Sequence, residues 1–171
     1  MASFSKYAPK LASIEGYGKF TNHVSDKGGA TMSGVTLATY REFFGPHKTE
    51  ADLMAMSYDQ WAHIMKSGYW DKVAGDRLDN QSVAELLADF AVNSGPATAV
   101  KRVQELVGTT TDGIAGPMTV KLINTSSPEL LFNALMVQRE LHYYKIVAAD
   151  SSQKAFLKGW INRLKRFTFN I

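Results

Sequence analysis

At 171 residues, 45% hydrophobic and 20% charged, the chain has the length and composition of one globular domain, or of one domain with a small appendage. It contains no cysteine, which excludes disulfides and thiolate metal sites. A net charge of +3 is too small to specify a nucleic-acid binder, and no apolar run approaches the ~18 residues of a membrane span.

The chain reads as α-dominated. Phe4, Tyr7, Leu11 and Ile14 recur at helical spacing and predict a first amphipathic helix that stops near Gly16 and Gly18. Glu15 then flanks the apolar stripe at the helix end. Residues 19–34 carry no helical period. With Gly28-Gly29 in their midst they predict a loop or a small β-hairpin. Helical spacing resumes from Thr36 to Phe44 and closes at Gly45-Pro46. Ser57 is a candidate N-cap for a helix from Tyr58 to Lys66, and Ser82 for a strongly apolar one from Val83 to Val92.

Asn93-Ser94-Gly95-Pro96 ends that helix and opens another at Ala97, with Val100, Val103 and Leu106 inward. Asp112-Gly113 and Gly116-Pro117 are turn signals, the second opening a helix to Ile123. Ser127-Pro128-Glu129 opens the longest helix, to about Val147, and Ser151 or Ser152 opens the last. The basic residues Lys154, Lys158, Arg163, Lys165 and Arg166 cluster late, as a solvated helix face or a polyanion-binding one. The start of the chain has no apolar core of signal-peptide length, so the expectation is a protein made in the cytoplasm without a signal peptide.

The chemistry lies near the front. An acid at a helix end, a glycine-rich loop with a second acid, and a threonine are equipment suited to glycoside cleavage. One carboxyl group protonates the leaving oxygen while a second polar group handles water or the developing positive charge. Glu15 is the candidate acid, and Asp26 with Thr31 the candidate second group. Each has a plainer alternative. A Glu beside glycine is often a surface acid, Asp26 before Gly-Gly is good turn chemistry, and Thr31 and Thr36 are equally candidate helix caps. Tyr17, Tyr69 and Trp70 could stack on sugar faces or sit in the core. His23, His47, His63 and His142 match no zinc-binding spacing, so no metal and no cofactor are expected.

These elements occur in a recognisable order. Ile14-Glu15-Gly16-Tyr17, Asp26-Lys27-Gly28-Gly29-Ala30-Thr31 and Gly34-Val35-Thr36-Leu37-Ala38-Thr39 resemble the signature of glycoside hydrolase family 108. Gly68-Tyr69-Trp70-Asp71, then Asp89, Val92, Asn93, Gly95 and Pro96, and finally Gly159-Trp160-Ile161-Asn162-Arg163 extend the resemblance from about Ile14 to Arg163. Val103-Gln104, Val107-Gly108, Asp112-Gly113-Ile114-Ala115-Gly116-Pro117 and Thr119 resemble the associated peptidoglycan-binding segment. The chain departs from the pattern in three places. Tyr17 directly follows Gly16, His23-Val24 replaces an Asp-Pro, and Met32 replaces an Asn.

The resemblance implies an N-acetylmuramidase on a lysozyme-like helical globule, acting on peptidoglycan glycan strands as a monomer. Glu15 would be the general acid, with Asp26 and Thr31 assisting. Tyr17, Thr36, Tyr69, Trp70 and Asn93 would bind substrate. Residues 1–94 would form the catalytic segment and residues 95–171 the wall-binding one, packed as one lobe. Neither nucleic acid nor membrane insertion is expected. Release to the wall would depend on a holin or a secretion system. A non-catalytic peptidoglycan binder on the same scaffold is the alternative reading.

Overall fold

The computed structural model describes residues 1–22 and 29–170. Among them the chain forms nine α-helices and one three-stranded antiparallel sheet, the α-dominated architecture expected from the sequence. It divides into two compact units, Ser5–Gly68 on one hand and Met1–Phe4 with Tyr69–Ile171 on the other.

The first unit holds most of α1 (Phe4–Glu15), then β1 (Phe20–Thr21), β2 (Thr31–Met32), β3 (Val35–Thr36), α2 (Leu37–Phe44), α3 (Glu50–Met54) and α4 (Tyr58–Met65). Tyr7 and Leu11 of α1 are buried, whereas Pro9, which cannot donate to the helix ladder, sits on the exposed side. The hairpin β2–β3 is closed by Ser33-Gly34, both at positive φ (53° and 79°), the backbone of a type I′ turn. Thr21, Thr31 and Thr36 stand opposite one another and share one face of the sheet. Phe20, Met32 and Val35 share the other, where Val35 is buried. Strand β3 runs straight into α2, so Thr36 is both the last strand residue and the N-cap.

Ser57 caps α4 as expected, in a reciprocal box with Gln60. Helix α3 was not legible from hydrophobic spacing, since five residues complete barely one turn. Its start is fixed by a capping box between Thr49 and Asp52. Beyond α4 the chain loosens into a π-helical turn, Lys66–Trp70.

In the second unit, 3₁₀ turns at Asp71–Val73 and Gly75–Arg77 lead to α5 (Gln81–Ser94), α6 (Pro96–Val107), α7 (Pro117–Thr125) and α8 (Pro128–Ala149). A further 3₁₀ turn, Ser151–Gln153, precedes α9 (Lys154–Leu164). Helix α5 is the centre of this unit. Val83, Ala84, Leu86, Leu87, Phe90 and Ala91 are all buried, and α6 and α8 pack against it. The sequence placed its N-cap at Ser82, but Asn80 takes the role by accepting the Val83 N–H at 3.0 Å. Asn caps as well as Ser does, and the Ser82 hydroxyl is engaged instead by the backbone of Asn170. Gly95 at φ 89° ends α5, and Pro96 at the first position of α6 starts the next helix in a fresh direction.

Candidate active site

Glu15 is the last residue of α1, and the chain's exit from that helix determines where its carboxyl group lies. Gly16 adopts the left-handed conformation (φ 64°), and the Tyr17 N–H returns to the Ala12 carbonyl at 2.9 Å, closing a Schellman cap. The Lys19 N–H then donates to the Gly16 carbonyl. This folded-back segment is pinned to the hairpin turn by Ser33. The Ser33 hydroxyl accepts the Gly18 N–H at 2.9 Å, and its own N–H donates to the Lys19 carbonyl at 2.9 Å. Its carbonyl accepts the Trp61 indole N–H at 3.0 Å. Ser33 is fully buried, and these bonds account for every polar group it carries.

With Ser33 held by Gly18 and Lys19 just beyond α1 and by Trp61 of α4, the next residue is brought under the acid. A Cβ built on Gly34 would lie 2.9 Å from Glu15 Cδ and would overlap Oε2. The half-buried Glu15 carboxyl therefore rests against the bare backbone of the turn, at a position whose φ of 79° also favours glycine. In the sequence Gly34 stands out only as part of a motif. Its structural signal was the Ser-Gly pair between two short β-prone segments. Gly34→Ala should strain the turn and displace the carboxyl group. A misplacement of about 1 Å at a catalytic group costs roughly 100-fold in rate. With Glu15 as the acid that the family resemblance implies, a loss of that order in wall clearing follows with circular dichroism unchanged, and wild-type clearing would show that the contact is incidental.

An aromatic cluster adjoins the turn. Tyr17 meets Tyr58 and Trp61 edge-on, with ring centroids 5.4 and 5.6 Å apart. Tyr58 and Trp61 are themselves 5.4 Å apart. Trp61 is buried, whereas Tyr17 and Tyr58 remain 41% and 42% exposed. Two partly exposed phenol rings backed by an anchored indole offer apolar surface with polar tips, the character of a sugar-binding wall. Tyr58 was missed as a functional candidate, though its spacing of three from Trp61 on a helix could have flagged it.

The other proposed residues fall into distinct situations. Thr31 lies on the middle strand, half-buried, so it is no helix cap, and its hydroxyl takes no partner among the described residues. The Thr36 hydroxyl caps α2, accepting the Thr39 N–H at 3.2 Å and lying 3.1 Å from the Thr39 hydroxyl. Thr36 is half-buried, and its hydroxyl is engaged in this cap. Asp26 lies outside the described residues.

Tyr69, Trp70 and Asn93 belong to the other unit. Tyr69 is half-buried. Trp70 is fully buried, donates to Asp76 Oδ1 at 2.7 Å, packs edge-on against Phe4 and covers Gly75, where a Cβ would strike the indole. No ring face is left for a sugar, so the stacking assignment of Trp70 is corrected to a core role.

Asn93 belongs to a buried polar network. Its Oδ1 accepts the Tyr143 hydroxyl at 2.7 Å, and that hydroxyl accepts the Arg139 Nε–H at 2.6 Å. Arg139 Nη2 donates to Asp89 Oδ2 at 2.6 Å, and Arg163 grips the same carboxylate through Nε at 3.0 Å and Nη2 at 2.8 Å. Arg139 Nη1 is buried without a hydrogen-bond partner among the described residues, its guanidinium lying over the rings of Phe90, Tyr143 and Phe167. Burial pushes the Asp89 carboxyl up, but the two guanidiniums and their hydrogen bonds outweigh it and hold it below the ordinary carboxylate range. Arg163, grouped by sequence with the late basic residues, is thus not a solvated charge. Asn93, half-buried, has its Oδ1 engaged by Tyr143.

The Asp112-Gly113 and Gly116-Pro117 signals also resolve into a brace. Gln104 of α6 is buried and donates through Nε2 to Asp112 Oδ1 (2.8 Å), the Ile114 carbonyl (3.1 Å) and the Thr119 hydroxyl (3.1 Å). Its Oε1 accepts the Gly113 N–H at 2.9 Å. One side chain thereby ties α6, the loop and α7 together.

Residues 9–95 match the family described as Glycosyl hydrolase 108, and residues 98–165 match the family described as Predicted Peptidoglycan domain. Among solved structures, Brucella abortus SagA is similar over 95% of this chain and 90% of its own, at 34% sequence identity and a TM-score of 0.82. No curated protein matches the sequence.

Proposed function

The chain belongs to the glycosyl hydrolase 108 family, and from that premise we propose that it is an N-acetylmuramidase. It cleaves the β-1,4 bond between N-acetylmuramic acid and N-acetylglucosamine in peptidoglycan, with Glu15 as general acid. The observation that carries this reading is the seat of Glu15 against Gly34. A helix cap, a glycine-bearing turn and a fully bonded serine hold one carboxyl group in a fixed place, and general acid catalysis depends on such placement.

Glu15 delivers its proton to the glycosidic oxygen as the bond to the anomeric carbon breaks and positive charge gathers on the sugar ring. Thr31, whose hydroxyl has no other partner among the described residues, holds a water, and Asp26 supplies the second carboxylate. Tyr17 and Tyr58 carry the sugar rings. Residues 1–94 perform the cleavage, and residues 95–171, braced through Gln104, hold the wall.

The identity of the cleaved bond is tested by its products. Purified peptidoglycan digested with the protein and then reduced with borohydride should yield muramitol at the new ends, read by mass spectrometry. Glucosaminitol ends would reassign the enzyme as a glucosaminidase. A digest with no new reducing ends would favour the wall-binding reading without catalysis.

A further inference from the structure

Helix α8 is apolar on two sides. One side, carrying Leu131, Leu135 and Arg139, is buried within its own unit. On the other, Leu130, Val137, Leu141 and Tyr144 are 71%, 57%, 46% and 49% exposed. With Ala134 and Ala148 they form an unbroken series spaced four, three, four, three and four residues apart. At 100° per residue this places all six on one narrow stripe, about 27 Å long at 1.5 Å per residue. The alternation is that of a coiled-coil seam, with Leu130, Val137 and Tyr144 at d and Ala134, Leu141 and Ala148 at a. An exposed apolar stripe of this length marks an interaction surface, and its register is the one into which a second helix packs.

We propose that this seam pairs with the same seam of a second copy of the chain, the two α8 helices running parallel, in place of the monomer expected from the sequence. The flanking charges select both the partner and the direction. Glu140 occupies the g position and Lys145 the following e position. These positions face each other across a parallel two-stranded pair, so Glu140 of each copy meets Lys145 of the other. An antiparallel pair centred on the seam would instead bring the two Glu140 carboxylates together. Neither residue makes an ion pair among the described residues. The seam is self-complementary in shape and charge, as a two-fold interface must be.

Sedimentation velocity of the full chain over a concentration series from micromolar to millimolar tests this. The wild type should pass from monomer to twice the monomer mass, and Leu141→Glu should remain monomeric. Glu140→Lys and Lys145→Glu should each raise the dissociation constant about tenfold. The double exchange Glu140→Lys/Lys145→Glu should restore it. Both charge positions lie outside the core, so the exchange reads pairing and not folding. A wild type that stays monomeric throughout, or a double exchange as weak as either single change, overturns the proposal. Wall cleavage by the same samples reads the muramidase assignment separately, because no seam residue belongs to the Glu15 site.

Discussion

Glu15→Gln should lower the rate of cell-wall clearing by roughly 1,000-fold while leaving wall binding intact, an effect within the 10²–10⁴ range of a positioned general acid. The amide is nearly isosteric with the carboxylic acid, so it can still rest on the bare backbone of Gly34 without forcing the turn apart. Its N–H protons are not acidic enough to protonate the leaving oxygen. The fold should not suffer, since the cap that ends α1 is made by the Gly16 conformation and the Tyr17 N–H rather than by the Glu15 side chain. Turbidity clearing and co-sedimentation with insoluble walls separate the two readouts. Clearing at the wild-type rate would remove Glu15 from the chemistry. Loss of both clearing and binding would assign it to substrate attachment instead. The contrast with Gly34→Ala is informative, because that variant keeps the proton and disturbs only its position.

The second large effect concerns stability. Asp89→Asn should destabilise the protein by about 3–5 kcal/mol, the usual consequence of removing one partner from a buried ion pair. The Asp89 carboxylate is fully buried and neutralises Arg139, also fully buried, and Arg163, whose side chain is 17% exposed. Without it, two guanidiniums face each other with no anion between them. For a chain of this length the thermal midpoint should fall by roughly 10 °C, measured by differential scanning calorimetry. A midpoint within about a degree of wild type would mean that water solvates the arginines.

The same carboxylate sets an acid limit. Its folded value lies below the ordinary one, so the unfolded chain takes up the proton first as pH falls. The stabilisation is therefore complete above the ordinary carboxylate range. It declines as pH drops through that range and is gone once pH lies below the depressed folded value. Asp89→Asn should flatten this part of the stability–pH curve.

The amino-acid sequence by itself determined the helices with long apolar periods and strong punctuation. Ser57 before Tyr58, Gly95-Pro96 between α5 and α6, and Ser127-Pro128 at the head of α8 act through bonds and dihedral limits within a few residues of themselves, so each was readable in place. The order of short motifs around Glu15, Asn93, Asp112 and Trp160 likewise identified the family without coordinates. Local rules were insufficient where two good caps competed, as when Asn80 displaced Ser82, and where a helix was too short to show a period, as in α3.

Tertiary structure decided the surroundings of each motif residue. Tyr17, Trp70 and Asn93 were alike in sequence as polar or aromatic members of a family pattern. Only the fold shows that Tyr17 keeps an exposed ring, that Trp70 is sealed over Gly75, and that Asn93 serves Tyr143. The partners that make the difference lie far along the chain, 50 residues away for the Asn93–Tyr143 bond. The same holds for Gly34, whose importance comes from the absence of a side chain at the one place where Glu15, nineteen residues earlier, needs the room. Sequence periodicity records what a residue does for its own element, whereas a site is made by contacts between elements, and those exist only once the chain has folded.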